Sequence, residues 1–174
     1  MSDWNPDDLS TYSSFEHPDV AKDAINLIKN GADPNIKDNK LEATPLIKTS
    51  VCINENSLKV AETLIEAGAD VNLTNKLGAT ALHELIIQHS LEDYEYENHL
   101  KGAKLLINNG ANIDTFSEGW FYETPLHLAV YKNAKDMVSL LIKSGANINV
   151  KNSEGQTPKE VAIQKGFKEI ENLF

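Results

Sequence analysis

Apolar and polar positions along the chain follow the period of amphipathic helices, and short polar segments interrupt them at regular intervals. Four apolar runs end in a leucine–isoleucine pair, and a glycine follows three residues after each isoleucine. A glycine there adopts the left-handed conformation that ends a helix without a steric penalty. The Asp, Asn, Lys and Gly residues that follow are typical of turns. The pattern predicts four helices that end before Gly31, Gly68, Gly110 and Gly145.

A threonine marks the start of another helix in each unit. Its side chain can cap the helix, and proline often follows at the first helical position, where its missing N–H costs nothing. One unit therefore consists of turn, helix, turn and helix, and because no unit can bury its apolar face alone, the units must stack. The starts read Thr44-Pro45-Leu46, Thr80-Ala81-Leu82-His83, Thr124-Pro125-Leu126-His127 and Thr157-Pro158.

The two markers together resemble the ankyrin repeat family, whose unit contains Thr-Pro-Leu-His and later Gly-Ala-Asp. Here the second marker reads Gly31-Ala32-Asp33-Pro34-Asn35, and similar segments begin at Gly68, Gly110 and Gly145. The resemblance therefore covers roughly residues 10–174. It implies an all-α repeat solenoid of helix-turn-helix units joined by β-hairpin fingers, with a concave groove lined by fingers and inner helices. The chain is similar to the small stand-alone ankyrin repeat proteins of bacteria.

The phasing of the markers predicts a single repeat domain over residues 1–174. Residues 1–35 form an N-terminal capping unit, in which Asp7–Phe15 is expected to form a short polar capping helix. At the other end, Lys159 and Glu160 replace Leu126 and His127, as a polar outer cap requires. The array is expected to be complete, with full repeats at 36–72, 73–114 and 115–149 and a C-terminal capping unit at 150–174.

Two segments depart from the repeat period. The shortest distance from capping threonine to glycine is 21 residues, from Thr124 to Gly145, whereas Thr44 to Gly68 takes 24 and Thr80 to Gly110 takes 30. The last of these implies a nine-residue insert near residues 89–98. The turn from Gly110 to Thr124 takes 14 residues against a minimum of 12 elsewhere. Because insertions map to loops and loops carry function, both segments are candidates for a binding site.

Charge narrows the class of partner. The net charge is −10, and all 16 basic residues are lysines, so the arginine fork that recognises phosphate and guanine is absent. An acidic chain is a poor ligand for nucleic acids or anionic membranes, which favours a partner protein with a basic surface. An AT-rich genome would explain the same lysine-rich composition equally well. Residues 90–123 carry −5 and residues 1–16 carry −4 of the total.

Aromatic residues coincide with the two irregular segments. Six of the twelve aromatic residues lie within 90–123, and aromatic side chains dominate binding energetics at interfaces. The competing interpretations are that some of these rings pack onto the neighbouring unit and that the acidic insert only keeps the protein soluble. The predicted partner-binding residues are Phe116, Glu118, Trp120, Phe121, Tyr122, Glu92, Asp93, Tyr94, Glu95, Tyr96, Lys76, Leu77, Tyr131 and Lys132.

No catalytic or cofactor motif emerges. His83 and His127 occupy the fourth place of the threonine motif, where each is expected to bond to backbone and to the capping threonine. Cys52 is expected to be a buried thiol, and one cysteine cannot form an internal disulfide. No metal-ligand spacing and no phosphate loop is present. The N-terminus does not resemble a signal peptide, which indicates a cytoplasmic protein. Because no catalytic or ligand-binding motif emerges, we expect a protein that is not an enzyme and needs no metal or cofactor.

The sequence therefore predicts non-catalytic protein binding by a chain that is monomeric when free. A dedicated inhibitor, such as an immunity protein that occludes a toxin, is favoured by the small size and acidity. A general adaptor or host-directed effector is the alternative within the same class. A different class is an acidic mimic of nucleic acid that inhibits a nuclease, although the acidic residues cluster in two patches rather than along one face.

Overall fold

The computed structural model describes residues 9–12, 14–51, 53–88, 96–120 and 123–174, including all of their side chains except those of Thr11, Tyr96 and Trp120. The described part of the chain contains nine α-helices and two short 3-10 helices, Leu9–Thr11 and Glu118–Trp120, which are connected by turns. The α-helices are α1 (Pro18–Lys29), α2 (Pro45–Val51), α3 (Glu55–Glu66), α4 (Ala81–Ile87), α5 (Tyr96–Asn108), α6 (Pro125–Tyr131), α7 (Lys135–Lys143), α8 (Pro158–Lys165) and α9 (Lys168–Glu171).

The helices form two layers. The inner layer consists of α2, α4, α6 and α8, and each of these helices packs against the next one in the list. The outer layer consists of α1, α3, α5, α7 and α9, which pack against one another in the same consecutive way. Within a unit, each inner helix packs on the outer helix that follows it. The predicted all-α repeat solenoid is confirmed.

The inner helices begin where the threonines predict. Thr80 and Thr157 each form a capping box, with His83 and Glu160 as the reciprocal partners. Thr124 accepts a hydrogen bond from the backbone N–H of His127. These local bonds satisfy donors that the first helical turn would otherwise leave unpaired.

The segments that precede the inner helices are tight turns, and no residue in the described part of the chain lies in a β-strand. The predicted β-hairpin fingers are therefore not confirmed, because each short finger is a turn held by two backbone hydrogen bonds instead of a ladder. We call these segments the first finger (38–43), the second finger (75–79), the long finger (115–123) and the last finger (152–156). The closing bonds run from Asp38 N to Ala43 O (3.1 Å), Asn75 N to Ala79 O (2.9 Å) and Asn152 N to Gln156 O (3.0 Å), and the long finger has one isolated bridge between Ser117 and Glu123.

The N-terminal segment corrects the prediction of a short polar capping helix. Its described part contains only the 3-10 turn Leu9–Thr11, and Leu9, Tyr12 and Phe15 are buried in the core. The rings of Tyr12 and Phe15 stack with centroids 5.7 Å apart. Lys48 donates from Nζ to the carbonyl of Ser10 at 2.7 Å. An irregular chain that inserts three apolar side chains covers the first unit, so burial of these groups outweighed helix formation.

The turns after the outer helices are tied together by one side chain per unit. Asn35 donates from Nδ2 to the carbonyl of Gly68 at 3.2 Å, and its Oδ1 accepts from the backbone N–H of Asp70 at 2.8 Å. Asn72 makes the same two bonds one unit later, at 3.0 and 2.8 Å. Asp114 accepts the equivalent backbone N–H at 2.9 Å, but an ionised carboxylate has no hydrogen to donate.

We expect Asp114→Asn to raise the free energy of unfolding by about 0.5–1.5 kcal/mol, because the new amide can donate across the turn as Asn35 and Asn72 do. Urea denaturation measures the change. The reciprocal control is Asn72→Asp, which should lower stability by a similar amount. If Asp114→Asn left stability unchanged while Asn72→Asp lowered it, the amide at position 114 would not form the donor hydrogen bond to the next turn that Asn35 and Asn72 form.

Candidate functional site

Consecutive fingers lie side by side and are joined by backbone hydrogen bonds. Lys76 N donates to Leu41 O at 2.8 Å, and Gly119 N donates to Leu77 O at 2.8 Å. A Cβ at Gly119 would stand 2.7 Å from the Cβ of Leu77, closer than real carbon atoms approach. Only glycine therefore lets the long finger lie directly on the second finger.

Three of the five exposed large apolar side chains in the described part of the chain lie on this row of fingers. Each of three consecutive fingers carries one of them: Leu41 (46% exposed) in the first finger, Leu77 (42%) in the second finger and Phe116 (40%) in the long finger. Val51, 38% exposed, lies at the end of inner helix α2. Ile163, 49% exposed, lies on α8 at the end of the stack. Within the part of the chain that the structure describes, these are all of the exposed large apolar residues, and none belongs to an outer helix.

Six of the predicted partner-binding residues have described side chains. Phe116 and Leu77 belong to the exposed apolar row, and Lys76, Glu118 and Lys132 are also exposed. Tyr131 is partly buried, and the Nζ atom of Lys165 lies 5.5 Å from its ring centroid. Leu41 and Val51 share the exposed apolar character but were not predicted, although Leu41 stands three residues before its capping threonine as Leu77 does.

The remaining predicted residues cannot be placed in the same way. Tyr96 lies at the start of α5 and Trp120 at the end of a 3-10 helix, and only their backbones are described. The others, together with Cys52, lie outside the described residues: Glu92, Asp93, Tyr94, Glu95, Phe121 and Tyr122.

The two motif histidines connect neighbouring units, as their predicted structural role requires. Nδ1 of His83 lies 2.8 Å from Oγ1 of Thr80, and its Nε2 lies 2.9 Å from the carbonyl of Thr115 in the long finger. His127 repeats the arrangement, with Nδ1 2.9 Å from Oγ1 of Thr124 and Nε2 3.0 Å from the carbonyl of Gln156. A carbonyl can only accept, so Nε2 carries the proton and Nδ1 is the acceptor. The structural prediction is confirmed.

Both imidazoles are held neutral. Burial lowers the pKa of His83 to about 4, although its backbone hydrogen bonds act in the other direction. Burial also lowers the pKa of His127. Neither ring is exposed to solvent, so a positive charge there would lose its hydration. The carboxyl of Glu123, whose Oε2 lies 3.7 Å from Nδ1 of His127, is the ion-pair partner that a protonated His127 would have.

A buried polar cluster joins the long finger, α6 and the last finger. Oε1 of Glu123 accepts a hydrogen bond from Nδ2 of Asn152 at 3.1 Å, and the same amide lies 3.3 Å from the hydroxyl of Tyr131. The side chain of Glu123 is only 6% exposed, and its Oε2 has no hydrogen-bond partner among the described residues. Burial raises the pKa of Glu123 to about 7 and that of Tyr131 to about 12.

A second buried carboxyl, Glu84, lies on α4 in the neighbouring unit. Its Oε1 accepts a hydrogen bond from Nδ2 of Asn75 at 2.9 Å. Burial raises the pKa of this carboxyl too, against the effect of the hydrogen bonds from Asn75 and Gln88. Nothing in the sequence pattern distinguishes Glu84 or Glu123 from exposed acids, since both are buried by neighbouring units.

The described residues contain no group of three or more His, Cys, Asp or Glu side chains arranged to hold a metal ion. None of the helices that the structure describes is both long and apolar enough to cross a membrane.

Comparison with known proteins agrees with this architecture. A family model described as ankyrin repeats, in three copies, matches residues 13–115 and 94–173. Ankyrin repeat protein FPV230 of Fowlpox virus (strain NVSL) is 30% identical over 164 residues, which cover 80% of this chain and 84% of that protein. Protein phosphatase 1 regulatory subunit 27 of Homo sapiens is 35% identical over 98 residues, covering 56% of this chain and 55% of the subunit. Alpha-latrotoxin-Lg1a of Latrodectus geometricus is 32% identical over 135 residues, which are 78% of this chain but 9% of the toxin.

Proposed function

The chain belongs to the ankyrin repeat family of protein–protein interaction modules, and we propose that it binds one partner protein, without catalysis, through the fingers and the inner-helix ends. The observation that carries the proposal is the position of the exposed apolar side chains. Within the described residues they belong to the finger and inner-helix side of the solenoid and to the end of the stack.

The row formed by Leu41, Leu77 and Phe116 is suited to be the apolar centre of an interface. Exposed apolar groups that cluster on one side of a soluble protein mark interaction sites more often than scattered ones do. Lys76 and Glu118 flank the row with opposite charges, as in the polar rim of a typical interface. We propose that the aromatic residues Trp120, Phe121 and Tyr122 extend this surface, together with Tyr131 and Lys132 at the end of α6.

The partner is proposed to carry a basic surface. The net charge of −10 would steer a basic protein towards the chain and would repel nucleic acids. The acidic residues Glu92, Asp93 and Glu95 are proposed to contact it, together with Tyr94 and with Tyr96, the first residue of α5. Association should therefore slow as salt concentration rises, while dissociation changes little.

A regulatory role fits best within this class. One relative is named as a regulatory subunit of a phosphatase, and a small binding chain without its own catalytic group can act on a partner by covering its functional surface. We propose an inhibitor of this kind, such as an immunity protein, with a general adaptor as the alternative. The proposed working unit is the monomer, with capping units at 1–35 and 150–174 around three full repeats.

Leu77→Asp is expected to weaken partner binding at least about tenfold, with little change in melting temperature, because it places a charge in the centre of the apolar row. The matched control is Ile163→Asp. Ile163 is as exposed as Leu77, but its equivalents Ile86 and Val130 in earlier units are fully buried, so it faces the end of the stack and not the fingers.

The experiment is affinity purification from the native host with wild-type, Leu77→Asp and Ile163→Asp chains, followed by mass spectrometry and titration of the recovered protein. The proposal expects a protein that the wild-type and Ile163→Asp chains retain and the Leu77→Asp chain loses. Equal recovery by all three folded chains would contradict the assignment of the finger row.

A further inference from the structure

The first finger is built around the carboxylate of Asp38. Its Oδ1 accepts hydrogen bonds from the backbone N–H groups of Lys40 at 3.0 Å and Leu41 at 2.7 Å. Its Oδ2 forms an ion pair with Nζ of Lys48 on α2 at 2.9 Å, and the side chains of Lys48 and Asp38 are only 11% and 16% exposed. Because this anchor is paired and largely buried, it fixes the tip of the finger against the inner helix.

Glu42 follows the tip in a backbone conformation that L-residues rarely adopt. Its φ angle is 53°, in the left-handed region, where the Cβ atom of a non-glycine residue is crowded by its own backbone. Its backbone N–H donates to the carbonyl of Asp38 at 3.1 Å, so this conformation is part of the turn. In the described part of the chain, the one other non-glycine residue with a positive φ angle is Asn133, and asparagine tolerates that conformation more readily.

Glycine occupies the equivalent position in the second and last fingers. Gly78 and Gly155 each stand two residues before a capping threonine, as Glu42 does, and their φ angles are 72° and 75°. A Cβ atom at Gly155 would meet no other atom within 4 Å, so backbone conformation alone accounts for the glycine there. The glutamate at position 42 therefore retains a strain that a glycine would remove.

No contact with another described residue compensates for this strain. The side chain of Glu42 is exposed, and within the described residues its carboxylate forms no ion pair and accepts no hydrogen bond. Lys40 and Lys76 belong to the same and the neighbouring finger, yet neither pairs with it. Strained backbone conformations persist mainly where function requires them, which directs attention to a ligand outside the chain.

The position of Glu42 indicates the chemistry of that ligand. Glu42 directly follows Leu41, which is 46% exposed and begins the apolar row of the fingers. A free carboxylate beside an exposed apolar side chain suits a lysine or arginine, because the stem of such a residue packs on apolar surface while its charged head binds the carboxylate.

We propose that Glu42 is a specificity-determining contact of the binding surface, where its carboxylate receives a lysine or arginine side chain of the partner protein and Leu41 supports the stem of that side chain. This inference rests on the proposed function and names the point at which the basic surface of the partner meets the fingers. Glycine at position 42 would be more stable but would have no carboxylate. The anchor at Asp38 presents the charge in a fixed place, which lowers the entropic cost of binding.

Glu42→Gly is expected to stabilise the free chain and to weaken its binding, a combination that a purely structural residue would not give. Removal of the strain should lower the unfolding equilibrium constant about threefold to tenfold, as measured by urea denaturation. Gly155→Ala is the reciprocal control for stability. It places a Cβ atom in open space at a φ angle of 75° and should raise the unfolding constant by a similar factor.

Binding is measured by titration with the protein that the wild-type chain retains from a lysate of the native host. Glu42→Gln keeps the strain and the length of the side chain but removes the charge, so it should leave stability unchanged and weaken binding about fivefold or more. Glu42→Gly should weaken binding at least as much. Glu62→Gln removes an exposed charge from outer helix α3 and should change the affinity less than about twofold. The difference between the wild-type chain and Glu42→Gln should narrow as salt concentration rises.

An unchanged stability of Glu42→Gly would overturn the inference, because the backbone would then carry no strain. A more stable Glu42→Gly chain with wild-type affinity would also overturn it, because the strain would then have no role in binding. If Glu42→Gln weakened binding no more than Glu62→Gln, the effect would belong to the overall charge and not to a contact.

Leu77→Asp in the same titration separates this inference from the proposed function. If Leu77→Asp loses binding while both Glu42 variants keep it, the contact at Glu42 fails and the finger row stands. If Leu77→Asp binds as the wild-type chain does, or if the wild-type chain retains no protein, the proposed function fails and the contact at Glu42 fails with it.

Discussion

Trp120→Ala is expected to weaken partner binding by at least about 2 kcal/mol, roughly thirtyfold, with little change in melting temperature. The backbone of Trp120 ends the 3-10 helix that begins at Glu118, directly after the glycine that fits against Leu77. Phe116, in the same finger, is 40% exposed. A tryptophan beside an exposed apolar row would supply the large rigid contact area that dominates many interfaces.

The competing hypothesis is that Trp120 is a structural plug between neighbouring units. In that case Trp120→Ala would lower the free energy of unfolding by about 3–5 kcal/mol, and the chain that remains folded would still bind. Thermal melts and titration on the same variant separate the two hypotheses. A destabilised variant with wild-type affinity would remove Trp120 from the binding surface and shift attention to Val51 and the inner-helix ends.

His127→Ala is expected to have the opposite pattern, a loss of about 1–3 kcal/mol of stability with partner affinity changed by no more than a few-fold. The substitution leaves the hydroxyl of Thr124 and the carbonyl of Gln156 without the ring atoms that lie 2.9 and 3.0 Å from them. His127→Gln retains a side-chain N–H donor and should recover part of the loss. Loss of binding at an unchanged melting temperature would contradict the structural role.

Acid should destabilise the wild-type chain more steeply than the His127→Ala chain. The folded-state pKa of His127 lies below the ordinary value of 6.5, so the unfolded chain binds more protons and the stability from the neutral ring is lost as pH falls below about 6.5. His83 behaves in the same sense, with a pKa of about 4. Urea denaturation at pH 7 and at pH 5 measures the difference, and parallel slopes in the two chains would show that His127 is not desolvated.

Local chemistry explains why much of the fold could be predicted from the sequence. A capping threonine and a helix-ending glycine act within a few residues of their own position, so the roles of Thr80 and Gly68 can be predicted from the sequence. His83 is predictable through its place in the threonine motif, although its ring also reaches the carbonyl of Thr115 in the next unit. The same logic failed at the N-terminus, where Leu9, Tyr12 and Phe15 are spaced irregularly and gain more from burial in the core than from a regular helix.

The candidate site could be predicted less completely, because it is built from distant segments. Gly119 fits against Leu77, which is 42 positions earlier, and no local pattern reports that contact. In the sequence, Glu123 looks like any acidic residue before a capping threonine. Its burial depends on Asn152 and Tyr131, which the fold brings next to it. The aromatic residues of the long finger are neighbours in the sequence and could be predicted as a cluster. Leu41 belongs to the exposed row because the fingers lie side by side in the fold.

The most direct test of the account is a hydrogen-exchange comparison of the free chain with the chain bound to the partner recovered by affinity purification. We expect added protection in the fingers and inner-helix ends, including the amides of Lys76, Ser117 and Gly119, and no added protection along the outer helices α3 and α7. Protection concentrated on α3, α5 and α7, with the fingers unchanged, would contradict the claim that the finger side of the solenoid is its binding surface.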